Sequence, residues 1–147
     1  MSNTYSFINV TASYVGPNGS IDLGYGSGTA EEGISVTAVE DKNNMMIGAD
    51  GSGMHTLRAG TACTLTVSLL KVSPANKQLQ NDYNLASTSS ALWGMGVITI
   101  RNTASKDLAV FRMCAHKRQP DFNNAKDGDV VQWQFDCVKG DIYRGEF

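Results

Sequence analysis

Residues 33–72, GISVTAVEDKNNMMIGADGSGMHTLRAGTACTLTVSLLKV, set two alternating segments on either side of an insertion that matches neither. In 33–40, Ile34, Val36 and Ala38 fall on one face and Ser35 and Thr37 on the other. In 64–72, Leu65, Val67 and Leu69 oppose Thr64, Thr66 and Ser68. Period-two alternation over this length reads as two half-buried strands. The insertion, about 40–57, holds Asp41, Asn43, Asn44, Asp50 and three glycines, which a core strand has no use for. It also holds Met45, Met46, Ile47 and Met54, which a solvated loop has no use for. Flexible backbone carrying adaptable apolar side chains is the profile of an arm that orders once a partner covers it.

The same alternation recurs outward from this stretch. SFINVTASYV (6–15) reads as a strand, GPNG (16–19) as a tight turn and SIDLG (20–24) as the returning strand. GVITIRN (96–102), DLAVFRMCAHK (107–117) and DVVQWQFDC (129–137) read as further strands, with DIYRGEF as a short tail. One segment has helical spacing. Ser73 is placed to cap it, Pro74 sits where its missing N–H does no harm, and Ala75, Leu79, Tyr83 and Ala86 form a narrow apolar stripe. The expected fold is mainly β, an antiparallel β-barrel or sandwich with one flanking α-helix, forming a single domain over 1–147.

Composition narrows the function. The formal charge is −2, 41% of residues are apolar, and no basic stripe is present. This disfavours a protein that grips phosphates or an anionic membrane surface. The first residues lack the charged start and apolar run of a signal peptide, and no apolar run approaches the ~18 residues of a membrane span. Cys63, Cys114 and Cys137 are odd in number and widely spaced, and are expected to be reduced, buried and apolar in role. His55 and His116 have no neighbours at metal-ligand spacing. DGSG (50–53) lacks the closing Glu of a calcium loop, and GYGSGT (24–29) lacks the Gly-Lys ending of a phosphate loop. Glu31 and Glu32 are adjacent and point to opposite faces of an extended chain. No nucleophile elbow occurs. The expectation is no catalytic residue, no metal, no cofactor and no enzyme, which leaves assembly as the role.

YSFINVTASYVGPNGSIDLG (5–24), GTAEEGISVTAVEDKNNMMIGADGSGMHTL (28–57), LLKVSPANKQL (69–79), WGMGVITIRN (93–102) and AKDGDVVQWQFDC (125–137) together resemble the tail tube proteins of contractile-tailed bacteriophages. The resemblance implies a β-barrel or sandwich with a helix, six copies closing into a ring, and rings stacked into a tube. Phage-tail-like bacteriocins and type VI secretion machines use related tubes. The implied partners are sister copies, a tail sheath protein outside, baseplate and tail terminator proteins at the ends, and tape measure protein and then viral DNA in the lumen. The implied location is the virion tail, assembled in the bacterial host cytoplasm without membrane anchoring. The resemblance also places a loop near 40–57 against the adjacent ring.

If each of six subunits lends four strands, about 24 strands at ~4.8 Å spacing and ~40° tilt close at a diameter near ~48 Å, wide enough for a DNA duplex. Lumen-facing candidates are the small polar positions Ser35, Thr37, Thr64, Thr66, Ser68, Gln132 and Gln134. A competing reading, a monomeric β-sandwich binding module, predicts an exposed aromatic patch, with Trp93 and Trp133 as candidates and at least one of the two expected in the core.

Overall fold

The computed structural model describes residues 3–147. A single 3-10 turn at Phe7–Asn9 leads into β1 (Val10–Gly16), β2 (Gly19–Asp22), β3 (Thr29–Ala38), β4 (Asn43–Ile47), β5 (Gly53–Leu57) and β6 (Cys63–Leu70). Then follow α1 (Ala75–Ala86), β7 (Gly96–Asn102), β8 (Asp107–Arg118) and β9 (Val130–Tyr143). Seven strands form one sheet in the order β2-β1-β7-β8-β9-β6-β3, and β4 pairs with β5 in a separate hairpin. All strand pairings within the large sheet are antiparallel.

The sheet curls into a half-barrel. The ring of Tyr14 on β1 lies 5.2 Å from that of Phe135 on β9, although β7 and β8 stand between them in the sheet. Inside the curl, Leu65, Val67, Leu69, Phe111, Trp133 and Phe135 form the core with Ala75 and Leu79 of α1. Each fully buried large side chain contributes about 1.5–3 kcal/mol, so a curl that buries many of them is strongly favoured over a flat sheet. Several elements differ from their expected limits. The strand expected over 6–15 begins at Val10, because Phe7–Asn9 form the 3-10 turn, and β3 begins at Thr29 rather than at 33. The helix begins at Ala75 with Pro74 at the cap position, while the Ser73 hydroxyl still accepts from the Ala75 N–H at 3.3 Å. The expected tail is strand: β9 continues past Cys137 to Tyr143, because the first half of β8, Leu108–Arg112, is available to pair with it.

The expectation of three separate reduced cysteines is corrected. Cys114 and Cys137 are joined by a disulfide, and Cys63 is the buried free thiol. Their spacing along the chain conceals that Cys114 on β8 and Cys137 on β9 face each other on one rung of the ladder.

A second buried contact ties the helix to the sheet. Asp82, on the inner face of α1, is fully buried. Its Oδ2 accepts from the Tyr14 hydroxyl at 2.7 Å and from His116 Nε2 at 2.8 Å, and its Oδ1 accepts from the Asn18 N–H at 3.3 Å. One carboxylate therefore holds β1, the β1–β2 turn, β8 and α1 together. Gly16 is required by this approach, since a Cβ there would lie 2.6 Å from Asp82 Oδ1 and 2.7 Å from the Tyr14 ring. Five rings, of Tyr14, Tyr83, Trp93, Trp133 and Phe135, surround the His116 imidazole with centroids 4.8–6.4 Å away. Sequence spacing gave Tyr83 to the buried stripe and no role to Asp82. In the fold Asp82 is the more deeply buried of the two, as a polar residue with every partner supplied.

Burial alone would raise the Asp82 carboxyl pKa, but the hydrogen bonds from His116, Tyr14 and the Asn18 backbone, with the charge attraction of His116, hold it below the ordinary carboxylate value. Burial and the Asp82 hydrogen bond push the Tyr14 phenol far up, so it remains a donor at any working pH. A lowered folded pKa stabilises the native state fully above the unfolded carboxylate value, near ~4, and that stabilisation is lost as pH falls through the folded value. In wild type, urea midpoints should therefore decline below pH ~4, and Asp82→Asn should flatten that decline. Asp82→Ala should cost about 3 kcal/mol at pH 7 by urea unfolding, because it strands buried donors.

Candidate functional site: a methionine arm and a polar sheet face

The arm is an outgrowth of the β3–β6 hairpin. The main ladder ends at the pair Ala38 and Cys63, the Val39 N–H donates to Ala62 O at 3.1 Å, and the chain then re-pairs as β4 and β5. Its base is closed by the Arg58 N–H to Lys42 O at 2.9 Å. Its tip is closed by the Gly48 N–H to Ser52 O at 2.7 Å, with Gly51 at φ +89° making the turn that a side-chain-bearing residue resists. Asp50 accepts from both the backbone and the hydroxyl of Ser52, which lowers its pKa; DGSG is therefore a turn device. The segment read as an arm is thus a two-stranded hairpin.

Alternation along the hairpin gives it two faces. Met45, Ile47 and Leu57 lie on one with Asn43 and His55, whose side chains contact at 3.2 Å. Met46 and Met54 lie opposite each other on the other face. These five apolar side chains are 56–81% exposed. Asp41, Asn43, Asn44 and Asp50 are exposed as well. A hairpin apolar on both faces is stabilised by cover on both sides, and the isolated chain supplies none.

The small polar positions gather on a second surface. Register aligns Ser35, Thr66 and Gln134 in one row across β3, β6 and β9, and Thr37, Thr64 and Asp136 in the next. Thr64 Oγ1 donates to Asp136 Oδ1 at 3.1 Å, and Arg118 on β8 pairs with Gln134. Gln132 is exposed at the end of the patch. Ser68 pairs with Gln132 yet is only 2% exposed, so its place among the solvent-facing candidates is corrected. Asp136 and Arg118 belong to the surface but were missed. Asp136 breaks no alternation and could have been found by continuing the Gln132, Gln134 series one step. Arg118 enters only through the β8–β9 pairing.

Among the described residues no group of His, Cys, Asp and Glu side chains is placed to hold a metal. Among the same residues no helix is long and apolar enough to cross a membrane. His55 is exposed on the arm and His116 is buried, so the two do not converge. Trp133 is buried, its Nε1 donating to Asn76 Oδ1 at 3.1 Å, and only Trp93 is partly open. Of the two tryptophans named for a binding patch, Trp133 therefore has the core role expected for one of them.

The curled sheet with one helix thus carries an uncovered arm and a polar sheet face. The family described as bacteriophage PhiTE tail tube protein matches residues 1–145. The chain belongs to this phage tail tube family. Among curated protein sequences none matches it. Several solved structures share the tail tube protein's fold. In the sheath–tube complex of the extracellular contractile injection system PVC, in its extended state, the similar chain superposes with a TM-score of 0.62 at 11% identity, covering 98% of this chain and 94% of that one. The tube-terminating cap of the anti-feeding prophage gives 0.56 at 11%, covering 99% and 95%. The baseplate of the same particle gives 0.54 at 15%, covering 98% and 97%.

Because the methionines of the arm touch no core residue, replacing Met45, Met46 and Met54 together by Ser should leave the fold of the tail tube protein intact. The expected change in unfolding free energy is within about 1 kcal/mol, measured by urea denaturation.

Proposed function

We propose that this chain is the repeating subunit of the inner tube of a contractile phage tail, closing as six-fold rings that stack and conduct the viral genome through the host envelope. The observation that carries the reading is the β4–β5 hairpin, apolar on both faces and uncovered, in a chain of the tail tube family. Solvent exposure of Met45, Met46, Ile47, Met54 and Leu57 is unfavourable by the usual ~25 cal/mol per Å² of apolar surface, and a neighbouring ring removes it. In this reading the arm contacts the adjacent ring, and the edges β3 and β2 meet neighbours within a ring, leaving no open sheet border.

The lumen is then lined by Ser35, Thr37, Thr64, Thr66, Gln132 and Gln134. The carboxylate of Asp136 is hydrogen-bonded in place, and Arg118 lies near Asp121, 3.7 Å away. Such a wall offers DNA hydrogen-bonding hydroxyls and amides but little net positive charge. It therefore lacks the repeated phosphate grip that would stall a sliding duplex. The sheath lies outside, the baseplate and terminator at the ends, and tape measure protein occupies the bore before DNA does. The subunit works in the virion tail after assembly in the host cytoplasm, and has no enzymatic step of its own. A second reading, a tube subunit of a phage-derived injection machine that carries no DNA, draws on the likeness to the PVC and anti-feeding prophage particles.

Electron microscopy of the purified protein should show rings and stacked tubes. Joining Lys42 to Arg58 through Asn-Gly in place of 43–57 should leave a folded protein that no longer stacks; long tubes from that variant would refute the role given to the arm. Thr66→Lys with Gln134→Lys should leave particles intact but reduce DNA ejection at least tenfold in a fluorescence release assay. Unchanged ejection would move the lumen to another face.

A further inference from the structure

Cys63, Cys137 and Cys114 occupy one row across three neighbouring strands. Cys63 on β6 pairs with Cys137 on β9, and Cys137 pairs in turn with Cys114 on β8. All three are buried, and all lie on the inner face beside Leu65, Phe135 and His116. The Cα atoms of Cys114 and Cys137 are 4.1 Å apart, the separation of a pair that exchanges no backbone hydrogen bonds. A residue's N–H and C=O point to the same side of its strand. Cys137 therefore makes its hydrogen-bonded pair with Cys63, where Cα atoms stand about 5.5 Å apart. That distance lies within the span a disulfide bridges without backbone movement. Gly140 adds room, since the nearest atoms to a Cβ built there include Cys63 Sγ at 3.1 Å.

We infer that Cys137 is a shared disulfide partner, and that intramolecular thiol–disulfide exchange moves the covalent link between the β8–β9 rung and the β6–β9 rung. The Cys63 sulfur, once deprotonated, attacks Cys137 Sγ. The Cys137–Cys114 bond breaks, and Cys114 leaves as a thiolate that takes up a proton. One S–S bond forms, one breaks, and no external oxidant is consumed. Attack on Cys114 is excluded by distance, because two strand spacings of about 4.8 Å separate it from Cys63.

The chemistry sets the speed. Cys63 is a buried thiol whose pKa is pushed up by desolvation, and its Sγ donates to Thr61 O at 3.5 Å. Exchange proceeds through the thiolate, so it is slow at neutral pH and accelerates about tenfold per pH unit. The two linkages differ in what they hold. Cys114–Cys137 staples the central strands β8 and β9. Cys63–Cys137 clamps the first residue of β6, where the chain returns from the arm. If the arm has the stacking role proposed above, the second linkage stiffens its root; the exchange itself does not depend on that role.

The test is disulfide mapping of the wild-type chain. The protein is treated with oxidised glutathione, incubated at pH 7 or pH 9, quenched with acid and alkylated. Peptides are then read by mass spectrometry without reduction. The expected result is two linked peptides, Cys63–Cys137 and Cys114–Cys137, in a ratio independent of protein concentration. That ratio should be reached about 100-fold faster at pH 9. Cys114→Ser should form Cys63–Cys137, and Cys63→Ser should hold Cys114–Cys137 alone. Three free thiols after oxidation, or Cys114–Cys137 alone at both pH values, would overturn the inference, as would two free thiols in folded Cys114→Ser. Tube formation is not read in this experiment, so failure of the assembly reading would leave its outcome unchanged.

Discussion

The buried carboxylate of Asp82 is the constraint on which the architecture turns. A seven-stranded sheet can curl to many degrees, and apolar burial alone does not choose among them, since oily contacts are non-directional. Hydrogen bonds to one carboxylate are directional. By accepting from Tyr14, His116 and the Asn18 backbone, Asp82 sets the distance between β1, β8 and α1 at once. The aromatic rings around His116 then fill the space that this distance defines. Two surfaces inherit their placement from it: the outward face of β3, β6 and β9, and the hairpin that leaves the β3–β6 end of the sheet.

Much of this was legible in the residues. Alternation located the strands because each has one wet and one dry face; Leu65, Val67 and Leu69 against Thr64 and Thr66 is a pattern that only a half-buried strand explains. The arm stood out because Met45 and Met46 conflict with the glycines and Asn around them. What stayed hidden depends on contacts between distant positions. Asp82 looked like a polar helix residue because its partners lie 68 and 34 positions away in the chain. Cys114 and Cys137 looked unrelated because strand register is needed to see that they oppose each other. Ser68 looked like its neighbours Thr64 and Thr66, and local pattern cannot report that its end of the sheet is covered.

The fold outlasts its sequence. At 11% identity the chain still superposes over 98% of its length on a chain of an injection system's sheath–tube complex. This is the expected behaviour when a shape is specified by period-two patterning and a filled interior, because many side-chain sets satisfy both.

The arm is spliced into an otherwise ordinary hairpin. Lys42 and Arg58 are already backbone partners, and the main ladder resumes undisturbed at Ala38 and Cys63. Adding or removing one rung, a residue from each side, would alter its reach by about 3.4 Å without repacking the interior. The reach of the arm is therefore adjustable in small increments, like the notches of a ratchet strap, and separately from everything that keeps the unit folded.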